Sequence, residues 1–352
     1  MNRKITFAQA VNEAIGQAMQ RDRSVICFGL GADDPKGVFG TTLGLQKQFG
    51  PERVFDTPTS ENGMTGIGVG AALNGIRPVM THQRLDFFLL AMDQLVNNAA
   101  KWHYMFGGNG NVPITIRLIL GRGWGQGPTH SQNLQSWFAH IPGLKVVAPA
   151  SAADAKGLLL ASIFDNNPVV FLEQRWLHNM EGEVPEQFYT TPLGEAQLLQ
   201  SGADITIVSH SFMSVEAVRA ANILKSHGIH CDVIDLRTLA PLDWNTISTS
   251  VQKTGRLMAL DTSHSFCSYA AEIVARASEQ HYTKFKAAPR RIALPDVPAP
   301  TSMALTKNFY PSAREICEAA LQMVGKSVKI DAKLFETGSP HDVPGPWFKG
   351  PF

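Results

Sequence analysis

The chain has 352 residues, 44% of them apolar and 17% charged, and its 31 basic and 30 acidic side chains leave a formal net charge of +1. That length and apolar content suit a globular protein of two ordinary domains, each with its own core, and exclude a disordered chain. The balanced charge leaves no basic footprint for nucleic acid, and no apolar run approaches the roughly 20 residues needed to cross a bilayer. The four cysteines, Cys27, Cys231, Cys267 and Cys317, lie far apart without a Cys-x-x-Cys pair. They read as small buried apolar residues of a reducing compartment rather than as zinc ligands or a disulfide framework. The basic start, Met1-Asn2-Arg3-Lys4, runs into a stretch too polar for a signal-peptide core, so the expected location is the cytoplasm.

In chain order, short β-branched runs predict strands at 25–28, 78–81, 114–120, 145–147 and 169–173. Phe88, Met92, Leu95, Val96 and Ala99 stand at helical spacing within a predicted helix over 86–106, and 152–164 reads as another. The alternation is the signature of an α/β fold with a mostly parallel sheet. Residues 176–195 carry Pro185 and Pro192 without a sustained period and read as the connection between domains. A second α/β pattern follows, with strands at 205–208, 231–236 and 257–260 and helices at 215–226, 244–254 and 270–280. The expected division is a first domain over 1–175, a linker over 176–195, a second domain over 196–326 and a tail over 327–352. Pro340, Pro344, Pro346 and Pro351, with aromatic residues among them, make that tail an extended arm expected to pack on a partner.

The segment richest in chemistry is Asp56-Thr57-Pro58-Thr59-Ser60-Glu61-Asn62-Gly63, a turn-rich stretch running into small residues. Thr59 or Ser60 can cap a helix starting here, which sets the Glu61 carboxylate in the first turn, where it either favours the helix dipole or serves a ligand. Gly63, Gly66 and Gly70 share a helical face and permit close approach of another backbone, often across a subunit contact. Phe87 and Phe88 read either as core residues or as an aromatic wall for a ligand. His130 lies in the flexible loop Gly125-Gln126-Gly127-Pro128-Thr129-His130-Ser131-Gln132, where an imidazole can reach a ligand or simply be solvated. His82 and His140 receive no role.

Motifs in register carry a resemblance over residues 4 to 325. They include Arg53-Val54-Phe55-Asp56-Thr57-Pro58, Ser60-Glu61, Ala91-Met92-Asp93-Gln94, His130-Ser131-Gln132, Pro142-Gly143-Leu144-Lys145-Val146-Val147, Asp165-Asn166-Asn167-Pro168-Val169, Ile234-Asp235-Leu236-Arg237-Thr238 and Asp296-Val297-Pro298-Ala299-Pro300. Together they resemble the beta subunit of the decarboxylating component of 2-oxo acid dehydrogenase complexes, of the pyruvate, branched-chain or acetoin type, in the transketolase-like superfamily. The resemblance implies a pyrimidine-binding transketolase-like domain followed by a transketolase C-terminal-like domain. It also implies thiamine diphosphate as cofactor, with Glu61 hydrogen-bonding the aminopyrimidine ring nitrogen, Phe87 against that ring, and His130 facing the channel used by substrate or lipoyl group. It further implies a potassium-type monovalent cation held at Ile114, Ser162, Ile163, Asp165 and Asn167. Read from its residues alone, Asp165-Asn166-Asn167-Pro168 is equally a helix C-terminal turn that needs no metal.

Family alpha subunits hold magnesium and the diphosphate with a Gly-Asp-Gly segment, and this chain has none. The implied unit is therefore a heterotetramer of two alpha and two beta chains acting on a 2-oxo acid, with a dihydrolipoyl acyltransferase as acyl acceptor. Three places depart from the family pattern: Leu30 replaces an acid, Arg117-Leu118-Ile119-Leu120 replaces an Arg-Ser-Pro type segment, and Ser265-Phe266-Cys267-Ser268-Tyr269 replaces a glycine-rich turn. Two other readings stay open: half of a split transketolase-like carboligase or lyase independent of a lipoyl complex, and a non-catalytic assembly subunit.

Overall fold

The computed structural model describes residues 2–343, 345 and 346. The chain opens with β1 (Asn2–Thr6) and a helix over Phe7–Arg21. Thr6 and Gln9 form a reciprocal capping box at that helix's start, so two orphan backbone donors are satisfied locally. Ala10, Val11, Ala14, Ile15 and Ala18 share its buried face, which packs with the helix over Ala152–Ile163 in one apolar cluster.

The first sheet takes β2 (Val25–Gly29), β3 (Val54–Asp56), β4 (Arg77–His82), β5 (Thr115–Leu120), β6 (Lys145–Val147) and β7 (Val169–Gln174), all mutually parallel in the order β6-β7-β5-β4-β2-β3. β8 (Glu181–Pro185) pairs antiparallel with β1 as a separate two-stranded sheet. The second sheet is built from β9 (Gln197–Gln200), β10 (Ile205–Ser209), β11 (Cys231–Asp235), β13 (Leu257–His264) and β14 (Arg290–Leu294), parallel except for β9. β12 (Thr238–Ala240) crosses back and adds antiparallel to β6, so the second half of the chain completes the edge of the first sheet.

The predicted strands and helices lie where the pattern put them, with ends displaced by a few residues, but four expectations are corrected. Residues 176–195 are not a loose connection in their first half. Lys156, fully buried, donates to Glu13 and to the carbonyls of Pro185, Glu186 and Gln187 at 2.6–3.0 Å, which clamps the end of β8 onto the first domain. The predicted helix over 86–106 is a succession of helical pieces, Leu85–Phe88, a 3-10 turn over Leu89–Ala91, a π-helix over Gln94–Ala99 and Ala100–Met105. Such irregular turns reset which side chains face the core. The tail folds back on its own chain: Arg219 donates to the Leu334 and Glu336 carbonyls, Arg314 covers the Phe335 ring, and Asp342 is buried. Pro344 and residues 347–352, Pro351 among them, lie outside the described residues. Finally, Cys267 is exposed, in a loop with φ of 53°, whereas the other three cysteines are buried as expected.

Two clusters of charged side chains hold the core in register. Arg117 on β5 donates two bonds, 2.6 and 3.0 Å, to Glu173 on β7, both side chains being almost wholly buried. At the domain seam Arg237 pairs with Asp154 at 2.8 Å, and Asp235 accepts from the Ser214 hydroxyl. Among the described residues no helix is long and apolar enough to cross a membrane.

Arg117→Met strands Glu173 in the core and should destabilise the protein by about 3–5 kcal/mol in denaturant unfolding, with much of the loss recovered when Glu173→Leu is added. Burial and the nearby Asp154 push the Asp235 carboxyl up to about 7. Folded Asp235 keeps its proton while the unfolded carboxyl ionises near 3.8, so its contribution is full at acid pH and is lost as pH climbs toward 7. Asp235→Asn should therefore flatten the decline in melting temperature between pH 4 and 7 relative to wild type.

Candidate active site

β2 and β4 lie side by side in the parallel sheet, but the chain leaves β2 toward β3 and leaves β4 toward β5, so the strand order reverses at their carboxyl ends. Ligands of open parallel sheets bind at such switch points. The two strands approach closely there: a Cβ on Gly29, whose φ is 140°, would stand 2.2 Å from the Thr81 carbonyl. Asp56 at the end of β3 ties the neighbouring loop down by accepting from the backbone N–H groups of Gly31 and Asp33 at 3.1 and 3.3 Å.

A helix over Glu61–Leu73 starts directly beyond this loop. Ser60 occupies the N-cap position, yet neither it nor Thr59 caps the helix through its side chain, contrary to the expectation from sequence. Glu61 is 7% exposed; its carboxylate oxygens still reach solvent and have no hydrogen-bond or ion-pair partner among the described residues. They are free to accept from a hydrogen-bond donor that approaches from outside the chain. That is the chemistry by which a carboxylate holds a protonated ring nitrogen, and Glu61 fits the aminopyrimidine of thiamine diphosphate.

Phe87 follows β4 and His130 follows β5 on the same edge. The structure brings these two together, ring edge to ring face, with centroids 5.5 Å apart at 89°. Phe87 remains 39% exposed, which leaves apolar ring surface for a ligand, whereas Phe88 is wholly buried in the core. His130 meets the Thr129 hydroxyl at 3.2 Å, and its carbonyl packs so tightly on Gly121 that a Cβ there would lie 1.8 Å away. Asp86 steadies the far side of the loop by accepting from the backbone and side-chain nitrogens of Gln132 at 3.3 and 2.9 Å; its burial raises its own pKa. Glu61 stands on the same edge, its helix packed against the π-helical segment, where Gly66 lies beneath Gln94.

The glycine expectation is redistributed. Within the core the tight contact falls on Gly68, whose Cβ would meet Phe28 and Ile114 at 3.0–3.1 Å, while Gly63, whose Cβ would meet the Ser60 hydroxyl at 2.9 Å, and Gly70 lie toward the exposed Ile67. Of the two unassigned histidines, His82 is buried against Phe88 with both ring nitrogens unpaired, and burial holds its pKa down to about 3, so it stays neutral. His140 is exposed on a hollow of about 1080 Å³ at the domain seam, away from Glu61. Sequence reading missed the stacking of Arg84 and Arg175 on the Phe39 ring, at 5.3 and 4.6 Å to its centroid. Arg84 and Arg175 stand immediately beyond β4 and β7, and that position is the signal that could have found them.

The cation positions gather where the helix over Ala152–Ile163 ends beside β5 and β7. Ile114 O accepts from Val169 N at 3.0 Å and Ser162 O from Asp165 N at 3.2 Å, while Arg77 donates to the Ile163 and Asp165 carbonyls at 3.3 and 2.9 Å. The Asp165 carboxylate pairs with Lys145 and accepts from Asn167 N, so the turn closes on protein cations alone. Each of those four carbonyls still has a second lone pair, and the helix C-terminus adds negative potential, which suits one more weakly held cation.

Residues 3–180 match the transketolase pyrimidine-binding domain and residues 194–316 the transketolase C-terminal domain. The chain is 43% identical over 330 residues to the beta subunit of acetoin:2,6-dichlorophenolindophenol oxidoreductase of Cupriavidus necator, covering 91% of this chain and 97% of the other. It is 40% identical over 325 residues to the pyruvate dehydrogenase E1 component subunit beta of Rickettsia felis, covering 92% and 100%. Among solved structures a split-gene transketolase, an inactive beta4 tetramer, superposes with a TM-score of 0.73 at 21% identity over 91% of this chain and 98% of that one, a likeness of fold. The chain therefore belongs to the beta subunits of the thiamine diphosphate-dependent, decarboxylating component of 2-oxo acid dehydrogenases, within the transketolase-like superfamily.

Proposed function

We propose that this chain is the beta half of an enzyme that decarboxylates a 2-oxo acid and passes the acyl unit to the lipoyl group of an acyltransferase. The observation that carries the reading is Glu61, a nearly buried residue whose carboxylate reaches solvent and lacks any partner among the described residues. When bound, thiamine diphosphate supplies the carbon nucleophile and electron sink for decarboxylation. Glu61 accepts the proton-bearing ring nitrogen of the aminopyrimidine and fixes its tautomer, Phe87 shields one ring face from water, and His130 donates to or accepts from the substrate at the channel mouth.

A matching alpha chain provides the magnesium and diphosphate site, since Gly-Asp-Gly is missing from this sequence, and two chains of each kind form the active heterotetramer. Relatives named as subunits of pyruvate and acetoin enzymes support both the partner and the substrate class. At the carbonyls of Ile114, Ser162, Ile163, Asp165 and Asn167 we assign a potassium-sized ion that shares two of its oxygens with Arg77.

Co-expression with the alpha partner should yield a complex that binds thiamine diphosphate and reduces 2,6-dichlorophenolindophenol when given 2-oxo acids or acetoin. Glu61→Gln should lower that rate by about 100-fold or more while leaving assembly and melting temperature close to wild type, because the carboxylate holds nothing in the folded chain. Equal rates for wild type and Glu61→Gln would defeat the assignment. A complex that binds cofactor yet turns over none of these substrates would shift the reading to a carboligase or an assembly subunit.

A further inference from the structure

The loop that carries His130 leaves β5 in a conformation that needs support. Gly123 has φ of 61° and Trp124 φ of 60°, and an indole side chain keeps the left-handed region only where its surroundings hold it there. Two turns run from this point to the imidazole: Gln126 N donates to Gly123 O at 3.2 Å, and His130 N donates to Gly127 O at 3.4 Å. Whatever fixes Gly123 and Gly127 therefore fixes His130.

That support comes from the far end of the chain. Gly123 N donates to the Tyr310 hydroxyl at 2.7 Å, and a Cβ on Gly123 would stand 2.8 Å from the Asp342 carbonyl and 3.2–3.3 Å from the Trp176 and Tyr310 rings. Next to it Arg122 lies over the rings of Trp176, Phe212 and Tyr310 at 4.5–4.8 Å and donates to Pro311 O at 3.2 Å. Asp342 is 4% exposed. The residue before it, His341, donates from Nε2 to Met303 O at 2.9 Å and meets the Thr306 hydroxyl at 3.1 Å. Met303 opens the short helix that follows Thr301, and the Thr301 hydroxyl would lie 2.8 Å from a Cβ on Gly127. His341 and Asp342 thus close on both turns of the loop, directly at Gly123 and through residues 301–306 at Gly127. Upstream, the tail is tied to the second domain where Arg219 donates to the Leu334 and Glu336 carbonyls and Arg314 covers Phe335. Beyond those ties the tail end is seated by few contacts, which is the character of a segment that opens locally.

We propose that the C-terminal tail is a strap that positions the His130 loop, with His341 and Asp342 as its positioning residues. The imidazole reaches its working place only while the strap is seated. This inference rests on the proposed function for what His130 does toward substrate, but not for the hold of the tail on the loop.

A protease recognition site inserted after Gly338, which is exposed and has open space where a Cβ would stand, allows the tail end to be cut from protein that has already folded and assembled. Amide hydrogen exchange is read in the full chain and in the alpha–beta complex before and after the cut. Exchange at Gly123, Gln126 and His130 should rise by about tenfold or more on cutting, while β2, β4 and the melting temperature stay as they were. Uncut His341→Ala should show a smaller rise at the same amides. In the complex the cut should lower kcat/KM for the accepted 2-oxo acid or acetoin by about tenfold, whereas a His130→Asn complex, with no imidazole left to place, should lose less than about twofold further. Unchanged exchange at the three amides, an unchanged rate, or the same fold loss in the His130→Asn complex overturns the proposal. Faster exchange on cutting in a complex inert toward every substrate upholds the hold of the strap on the loop and removes the decarboxylase reading instead.

Discussion

A parallel sheet has polarity, and that polarity is the constraint on which the site depends. All strands of the first sheet except β12 point the same way, so every segment leaving a strand's carboxyl end emerges on one edge. Glu61 follows β3, Arg84 and Phe87 follow β4, His130 follows β5 and Arg175 follows β7, although these residues are spread over more than a hundred positions of sequence. The remaining structure keeps that edge in register. Gly29 lets β2 and β4 close against each other, Arg117 and Glu173 lock β5 to β7 beneath the loops, and β12 returns from the second domain to finish the sheet.

Two buried charges of the frame, Glu173 and Lys156, are closely paired. Glu173 receives two bonds from Arg117 and lies 3.4 Å from His178, and Lys156 has four oxygen acceptors. Glu61 differs from these, since its carboxylate reaches solvent and has no partner among the described residues. The helix that carries it also begins without a side-chain cap. On the function proposed above, both features belong to a place where the hydrogen-bond complement comes from outside the chain.

Much of the fold was legible because the strands are buried on both faces and stand out as short β-branched runs, as Val169–Gln174 does. Glu61, Phe87 and His130 were singled out through motif resemblance; their residue types alone left each reading open. What escaped depended on contacts between distant segments. No local pattern announces that Lys156 will clamp residues 185–187, that Phe335 will lie under Arg314, or that Thr238–Ala240 will cross to the other sheet. Phe39 and its two arginines escaped for the same reason, since three loops meet there from three different strands.

The exposed surface around Glu61 points the same way as its charge. The outward face of its helix presents Gly63, Ile67 and Gly70, with Ile67 72% exposed, and the neighbouring helical segments expose Leu90, Tyr104, Met105 and Phe106. Single exposed apolar residues are ordinary, but a group of them on neighbouring segments is surface that a partner can cover. On the function proposed above, a partner that covers these residues also excludes water from Glu61 and strengthens whatever hydrogen bond that carboxylate then makes. Assembly and site formation then become the same step, and a chain holding the acid and aromatic parts of a cofactor site gains from staying incomplete until its partner is in place.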